Sequence, residues 1–343
     1  MEIYYIGEHL KKENIGGVKA RTDVETIMNK RYQLYQSIDM YRPHTFLGKV
    51  AFILQPHSIE TLIKLSEGER GVVITQYPFP YNKLFNRLLY KFLDKNDKVL
   101  FIHDIPSIQF GKPSEIKKEM DFINSSKLLI VHNQKMEDLL CSYGINVKCL
   151  KLGLFDYLLE KTPNQKEYYF GNDIVFAGNL AKSKFLEKLP DSGLQLNFNL
   201  YGIGLAETLK QEECIHWKGS YDVNEIPYKL AGSFGLIWDG DSLETCTGHF
   251  GEYQKYNNPH KLSLYIVAGL PVIVWSKAAV AELVKKYQIG FTVDSLFDCK
   301  RIIDNLTDKD YNRYKSNIKE LQEKVINGYF TNQVFDNLEK ELI

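Results

Sequence analysis

"YNNPHKLSLYIVAGLPVIVW", residues 256–275, sets two polar residues, a proline, a histidine and a lysine directly before an apolar run. That run, Leu262 to Trp275, is 14 residues long, short of the ~20 that a membrane-spanning helix needs. It therefore reads as core. Pro259 suits a first helical turn, where its missing N–H costs nothing, and Asn257 or Asn258 is the expected cap. His260 and Lys261 then fall in the first turn. Gly269 ends the helix and Pro271 blocks its continuation, so "VIVW" begins the next strand. A helix that turns straight into a buried apolar strand is the repeating step of a doubly wound α/β sheet. The lysine is out of place, because the helix dipole favours acidic residues at that end. An incoming diphosphate reverses the sign of that penalty; a buried helix with a solvated lysine is the plainer alternative.

The same alternation extends outward. Before the quoted stretch come "DIVFAG" (173–178), "LNFNLYG" (196–202), "CIHWKG" (214–219) and "FGLIW" (234–238), and after it "GFTV" (290–293). The first half has its own set: "EIYYI" (2–6), "VAFIL" (50–54), "GVVIT" (71–75), "KVLFIH" (98–103), "LLIVH" (128–132) and "VKCLKL" (147–152). Several are apolar without period-two alternation, as strands covered on both faces are. Helical patterns fill 18–36, 56–66, 83–94, 113–124 and 134–142, the first opened by a capping box at "TDVE" (22–25). Residues 156–172 are polar and contain Pro163, which marks a linker. The expectation is two Rossmann-like domains, 1–155 and 173–310, with a helical tail over 311–343 packing back across the joint. A cleft lined by the carboxyl ends of both sheets is the usual ligand site in such folds.

Bulk properties exclude some classes. Lys plus Arg and Asp plus Glu both number 43, so no net charge points to nucleic acid. The chain is 44% hydrophobic over 343 residues, enough for two cores and too much for disorder. Five cysteines, odd in number and without a CxxC pair, suit a reducing compartment and argue against both a disulfide framework and a zinc site. The opening "MEIYYIGEHL" has no basic, long apolar leader and reads as the first strand of a cytosolic domain.

Candidate binding residues follow from the strand ends. In "VFAGNLAKSKFL" a strand runs into Gly178 and Asn179, then a helix expected near Ala181; its free N–H groups with Lys182 or Lys184 suit a phosphate. Gly16 and Gly17 are expected in a loop after the first strand, where backbone can approach a ligand. "QYPFPY" (76–81) offers Tyr77, Phe79 and Tyr81 as a sugar-stacking platform, unless the rings pack inward. In "KLFNRLLYKFLDK" the cations Lys83, Arg87, Lys91 and Lys95 line one helical stripe. That stripe fits anionic lipid, a subunit contact in a homo-oligomer, or plain solvent.

"NPHKLSLYIVAGLPVIVW", "FAGNL" and "FGLIWDG" resemble the C-terminal domain of GT-B glycosyltransferases. The resemblance is to bacterial β-1,6-galactofuranosyltransferases and to the glucosyltransferases that extend O-glycans on serine-rich-repeat adhesins. "GGVKARTDVETIM" (16–28), "VLFIHDIPSIQF" and "LLIVHNQKMEDLL" carry it into the first half. It implies a UDP-sugar in the C-terminal domain and a saccharide, glycoprotein or lipid-linked glycan acceptor on the N-terminal side. It also implies a galactofuranosyl or glucosyl transfer that needs no metal and no cofactor beyond the donor. Synthesis of a bacterial surface glycan from the cytosolic side follows from the same likeness. Many retaining GT-B enzymes carry an acidic residue before the "AxGxPV" segment, where it holds the ribose. Here Ser263, Leu264, Tyr265 and Ile266 stand instead, so ribose contact falls to Asp239 or Tyr221, and retention loses support. Inversion needs a base for the acceptor hydroxyl. "IHDIP" offers Asp104 first and His103 second, with Asp23 a further candidate. Two rivals remain: a UDP-sugar epimerase-like enzyme, and a non-catalytic partner that binds glycan or polypeptide.

Overall fold

The computed structural model describes residues 2–9, 16–40, 45–68, 71–111, 113–163 and 169–342. Residues 164–168 of the expected linker lie outside the described residues. The chain divides into two compact units: Met1–Glu13 with Arg21–Leu152 and Thr331–Ile343, and Asn14–Ala20 with Gly153–Phe330.

The first unit is built on a parallel sheet of β1 (Ile3–His9), β2 (Gln33–Asp39), β3 (Val72–Tyr77), β4 (Asp97–Ile102), β5 (Leu128–Val131) and β6 (Cys149–Lys151). Their spatial order is β2-β1-β3-β4-β5-β6. Between them run α1 (Gly16–Arg31), α2 (Phe46–Ile53), α3 (Pro56–Ser66), α4 (Lys83–Leu93), the single turn α5 (Pro106–Gln109), α6 (Pro113–Asn124) and α7 (Gln134–Ser142). β3 and β5 are buried along their whole length and β4 at all but its first residue. Helices cover both faces, which is why these strands read as unbroken apolar runs.

The second unit repeats the plan with β7 (Asp173–Ala177), β8 (Asn197–Tyr201), β9 (Ile215–Trp217), β10 (Phe234–Ile237), β11 (Val272–Trp275) and β12 (Gly290–Val293). These are parallel in the order β12-β11-β10-β7-β8-β9. Its helices are α8 (Gly248–Tyr253), α9 (Lys261–Ala268), α10 (Ala281–Tyr287), α11 (Phe297–Asn305) and α12 (Asp308–Ile326); α13 (Tyr329–Leu342) follows and from Thr331 belongs to the first unit. Among the described residues no helix is long and apolar enough to cross a membrane.

Three local expectations fail, each for a physical reason. "VAFIL" is not a strand: it lies mostly in α2, which Thr45 caps by accepting from Gly48 N at 3.1 Å. A short apolar run has no period that separates helix from strand. The helix expected over 18–36 ends at Arg31, and β2 follows, because Tyr35, Gln36 and Ile38 bury in register beside β1. "TDVE" does not open α1, which begins at Gly16; Thr22 sits inside it, its carbonyl accepting from Thr26 Oγ1 at 2.8 Å. A capping box does form at Thr307 and Asp310, opening α12. The tail forms α12 and α13, and Arg31 at the end of α1 pairs with Asp336 (2.6 Å) and Glu339 (2.9 Å) of α13.

The stretch 256–275 folds as its sequence predicts from Lys261 onward. Leu262 to Ala268 are all buried, and Gly269 ends α9 in the left-handed conformation at φ 80°. Tyr265 ties the helix to the sheet: its hydroxyl donates to Leu236 O (3.2 Å) and accepts from Ala177 N (3.0 Å). Gly235 makes room for that ring, since a Cβ there would stand 2.4 Å from the Tyr265 ring carbon Cγ. Gly235→Ala is therefore expected to destabilise the second unit by about 1–3 kcal/mol, as overpacking does. Thermal or urea denaturation of the variant measures it.

Candidate active site

In the second unit, the carboxyl ends of β7 and β10 and the start of α9 bring Gly178, Asp239 and Lys261 together. Lys261 Nζ lies 3.9 Å from Asp239 Oδ2 and 4.1 Å from the centre of the Phe176 ring. Burial lowers its pKa, with the Asp239 carboxylate pulling the other way. Its stem also fills the space beside Gly178, where a Cβ would meet Lys261 Cε at 3.1 Å. A half-buried ammonium against a ring face and one carboxylate, at the N-terminus of a core helix, is suited to receive an anion.

In the first unit, Arg21 of α1 is buried against Glu8 at the end of β1. Its Nε donates to Glu8 Oε2 at 2.7 Å and its Nη2 to Glu8 Oε1. Nη2 also donates to Gln76 O at 3.1 Å, and Tyr81 Oη donates to Glu8 Oε1 at 3.3 Å. Glu25, one turn further along α1, accepts from Glu8 N at 3.0 Å, and burial raises its pKa to about 7. Asp104, just past β4, is likewise raised to about 7 by burial, with the Arg21 charge opposing. His103 is buried, its Nε2 2.8 Å from Gln76 Oε1. A carboxyl group that titrates near neutrality beside a fixed guanidinium is suited to exchange a proton with a hydroxyl.

Residues 3–154 match the model of the glucosyltransferase 3-like N-terminal domain, and residues 174–338 that of the glucosyltransferase 3-like C-terminal domain. The chain is a glycosyltransferase of the glucosyltransferase 3-like family, with GT-B architecture. It is 29% identical over 346 residues to beta-1,6-galactofuranosyltransferase WbbI of Escherichia coli strain K12, covering 99% of each chain. It is 28% identical over 291 residues to Glucosyltransferase 3 of Streptococcus gordonii, covering 82% of this chain and 83% of that one. Anabaena Alr3699/HepE, solved in complex with UDP and glucose, shares the fold at TM-score 0.60 and 13% identity, over 100% of this chain and 99% of its own.

Several residues expected to act in this glucosyltransferase 3-like chain do otherwise. No helix starts near Ala181; two 3₁₀ turns over 180–182 and 184–188 take its place. The N–H groups of Gly178, Leu180 and Lys182 are already donated, to Tyr201 O, Ile203 O and Asn179. The phosphate cradle of free amides is thus largely absent, and cations must supply the attraction. Lys182 stays exposed with its ammonium 5.3 Å from the Phe250 ring centre, whereas Lys184 is paired with Glu187 at 2.8 Å.

Neither Asn257 nor Asn258 caps α9; its N-cap is His260, whose side chain makes no capping hydrogen bond to the first turn. Asn258 is buried and its amide donates to Gly153 O, while His260 Nε2 meets Asp156 O at 3.0 Å and its ring stacks on Tyr157. Both hold the 153–157 segment against the start of α9, since buried polar groups need partners. Tyr221 donates to Lys218 O at 2.9 Å and lies under Lys229, apart from Asp239 and Lys261 in its contacts.

Gly16 and Gly17 open α1 rather than a loop. Tyr77 and Phe79 are buried, so they form no exposed stacking platform. Their rings join Tyr90 and Phe122 in an aromatic cluster, and Tyr77 Oη donates to Glu119 Oε1 at 2.5 Å. Asp23 is buried as well. Glu8, Arg21 and Glu25 belong to no motif; their one signal in the sequence is the i, i+4 spacing of Arg21 and Glu25 on one face of α1, opposite a strand end.

Proposed function

We propose that this glycosyltransferase moves a hexose, galactofuranose or glucose, from a UDP-sugar to a saccharide acceptor during synthesis of a bacterial surface polysaccharide or glycoprotein. The names of the two relatives given above and the UDP and glucose held by HepE support the donor class. The observation that carries the reading is Lys261. A half-buried ammonium at a helix start, with a single carboxylate 3.9 Å away, is the cation a leaving diphosphate needs. Lys182 adds a second charge from the neighbouring turn. When the diphosphate takes the ammonium, Asp239 is released to accept from the ribose hydroxyls.

Transfer inverts the anomeric centre in this reading. Asp104 takes the proton of the acceptor hydroxyl, the hydroxyl oxygen bonds to the anomeric carbon, and the bond to UDP breaks. Arg21 keeps the carboxyl close to half-ionised at neutral pH. No metal serves the diphosphate: Asp239 faces Lys261, and Asp241 accepts from Thr247 Oγ1. The enzyme works on the cytosolic side. Its α4 stripe, with Lys83, Arg87, Lys91 and Lys95 all exposed, faces anionic lipid, and beside α4 the helix α2 exposes Phe46, Leu47, Val50 and Leu54.

Lys261→Ala should weaken UDP binding by about 1.5–3 kcal/mol, the range for a charge-assisted hydrogen bond. Calorimetry that finds unchanged affinity removes the central contact. Turnover should persist in EDTA; its loss, with rescue by manganese, would instead make ligands of Asp239 and Asp241.

Asp104→Asn should lower kcat by about 10²–10⁴-fold with UDP binding kept. The sign of the pH effect follows from the raised pKa. The base is protonated below its pKa, so kcat/KM of the native enzyme climbs through pH about 7 to a plateau. The variant should lack that limb. If His103→Asn shows the large loss and Asp104→Asn does not, the histidine is the base.

A further inference from the structure

A second cluster of titratable side chains lies in the first unit, outside the groups used above. β1 and β2 run parallel with His9 and Asp39 as direct register partners, so both side chains leave the sheet at the same height. His9 Nδ1 lies 3.1 Å from Asp39 Oδ1. The other oxygen, Asp39 Oδ2, faces His57 Nε2 of α3 at 3.9 Å. The two imidazoles meet edge to face with centroids 5.8 Å apart. One donor atom from each residue falls within 4.8 Å of the other two, the only such trio of His, Cys, Asp or Glu among the described residues.

Hydrogen bonding alone does not account for this arrangement. His57 Nε2 is shut off from solvent and has no hydrogen-bond partner, a costly state for a ring nitrogen. At 3.9 Å the carboxylate oxygen is too far to relieve it. The spacing fits two atoms sharing an ion: ligands ~2.1 Å from a tetrahedral centre stand roughly 3.4 Å apart. The observed spacings, 3.1 Å to one carboxylate oxygen and 3.9 Å to the other, stand either side of that value, and one donor atom from each residue already lies within 4.8 Å of the others. Two imidazoles with one carboxylate suit zinc and its neighbours; calcium and magnesium prefer all-oxygen sets.

We propose that His9, Asp39 and His57 bind a divalent cation of zinc's class. Three protein ligands leave a fourth position for water, on the side where His9 is 69% exposed. β2 is the edge strand of its sheet, so the ion clips β2 and α3 to the end of β1. This rests on the proposed function only in that the diphosphate is assigned to Lys261; EDTA, which strips the ion, is expected to leave turnover in place.

The test uses the full chain, stripped with EDTA, desalted and titrated with zinc by calorimetry. A Cys141→Ser background removes the exposed thiol as a competing ligand. One zinc per chain should bind, magnesium should not compete, and zinc should raise Tm. Asp39→Asn and His57→Ala should each weaken zinc at least ~10-fold, the lower bound for loss of a mere supporting partner, and abolish the Tm rise. His9→Ala, at an exposed side chain, serves if His57→Ala does not fold. No saturable zinc binding, or binding unchanged in these variants, overturns the proposal.

Discussion

The first unit is organised around a guanidinium that cannot stay buried without a counter-charge. Arg21 sits inside, and Glu8 neutralises it with two parallel hydrogen bonds. Removing both charges from water costs several kcal/mol each in principle, so the remaining donors must be used as well. Gln76 O takes one, and Tyr81 returns a bond to the carboxylate. The pair thereby fixes α1 against the ends of β1 and β3. It also leaves Glu25 and Asp104 without a full positive charge of their own. Burial then dominates, and both carboxyl groups rise to about 7. A structural ion pair thus tunes the groups that surround it.

The second unit solves a related problem with the opposite sign. Its helix α9 is buried at every residue past the first because it lies in the core, and only that first residue carries charge. Tyr265 locks the helix between β7 and β10, and Gly235 gives that ring its space. Lys261 is consequently delivered to the sheet's carboxyl edge, beside Gly178 and Asp239. There the ammonium is only partly compensated, which is the condition for binding an anion. Catalytic electrostatics of this kind depend on groups whose positions are set before the substrate arrives.

Much was legible in the sequence because the physics involved is local. Doubly covered parallel strands must be apolar throughout, so most of the twelve strands among the described residues announce themselves as short hydrophobic runs. Gly269 followed by Pro271 stops α9 by backbone conformation alone. Lys261 stands out because it contradicts the helix dipole. The family likeness rested on these same stretches.

What escaped the sequence was decided by partners far along the chain. Whether "VAFIL" is helix or strand depends on a cap at Thr45 and on what it packs against, not on its own composition. Tyr77 and Phe79 have the chemistry of a sugar platform, yet Tyr90 and Phe122 enclose them. Asn258 and His260 look like ligand groups until the carbonyls of Gly153 and Asp156 claim them. His9, Asp39 and His57 meet only because parallel register aligns two strand ends under a helix start. The sequence determines which residues can bury, turn or carry charge. Only the tertiary structure decides which polar groups are already satisfied, and so which remain for function.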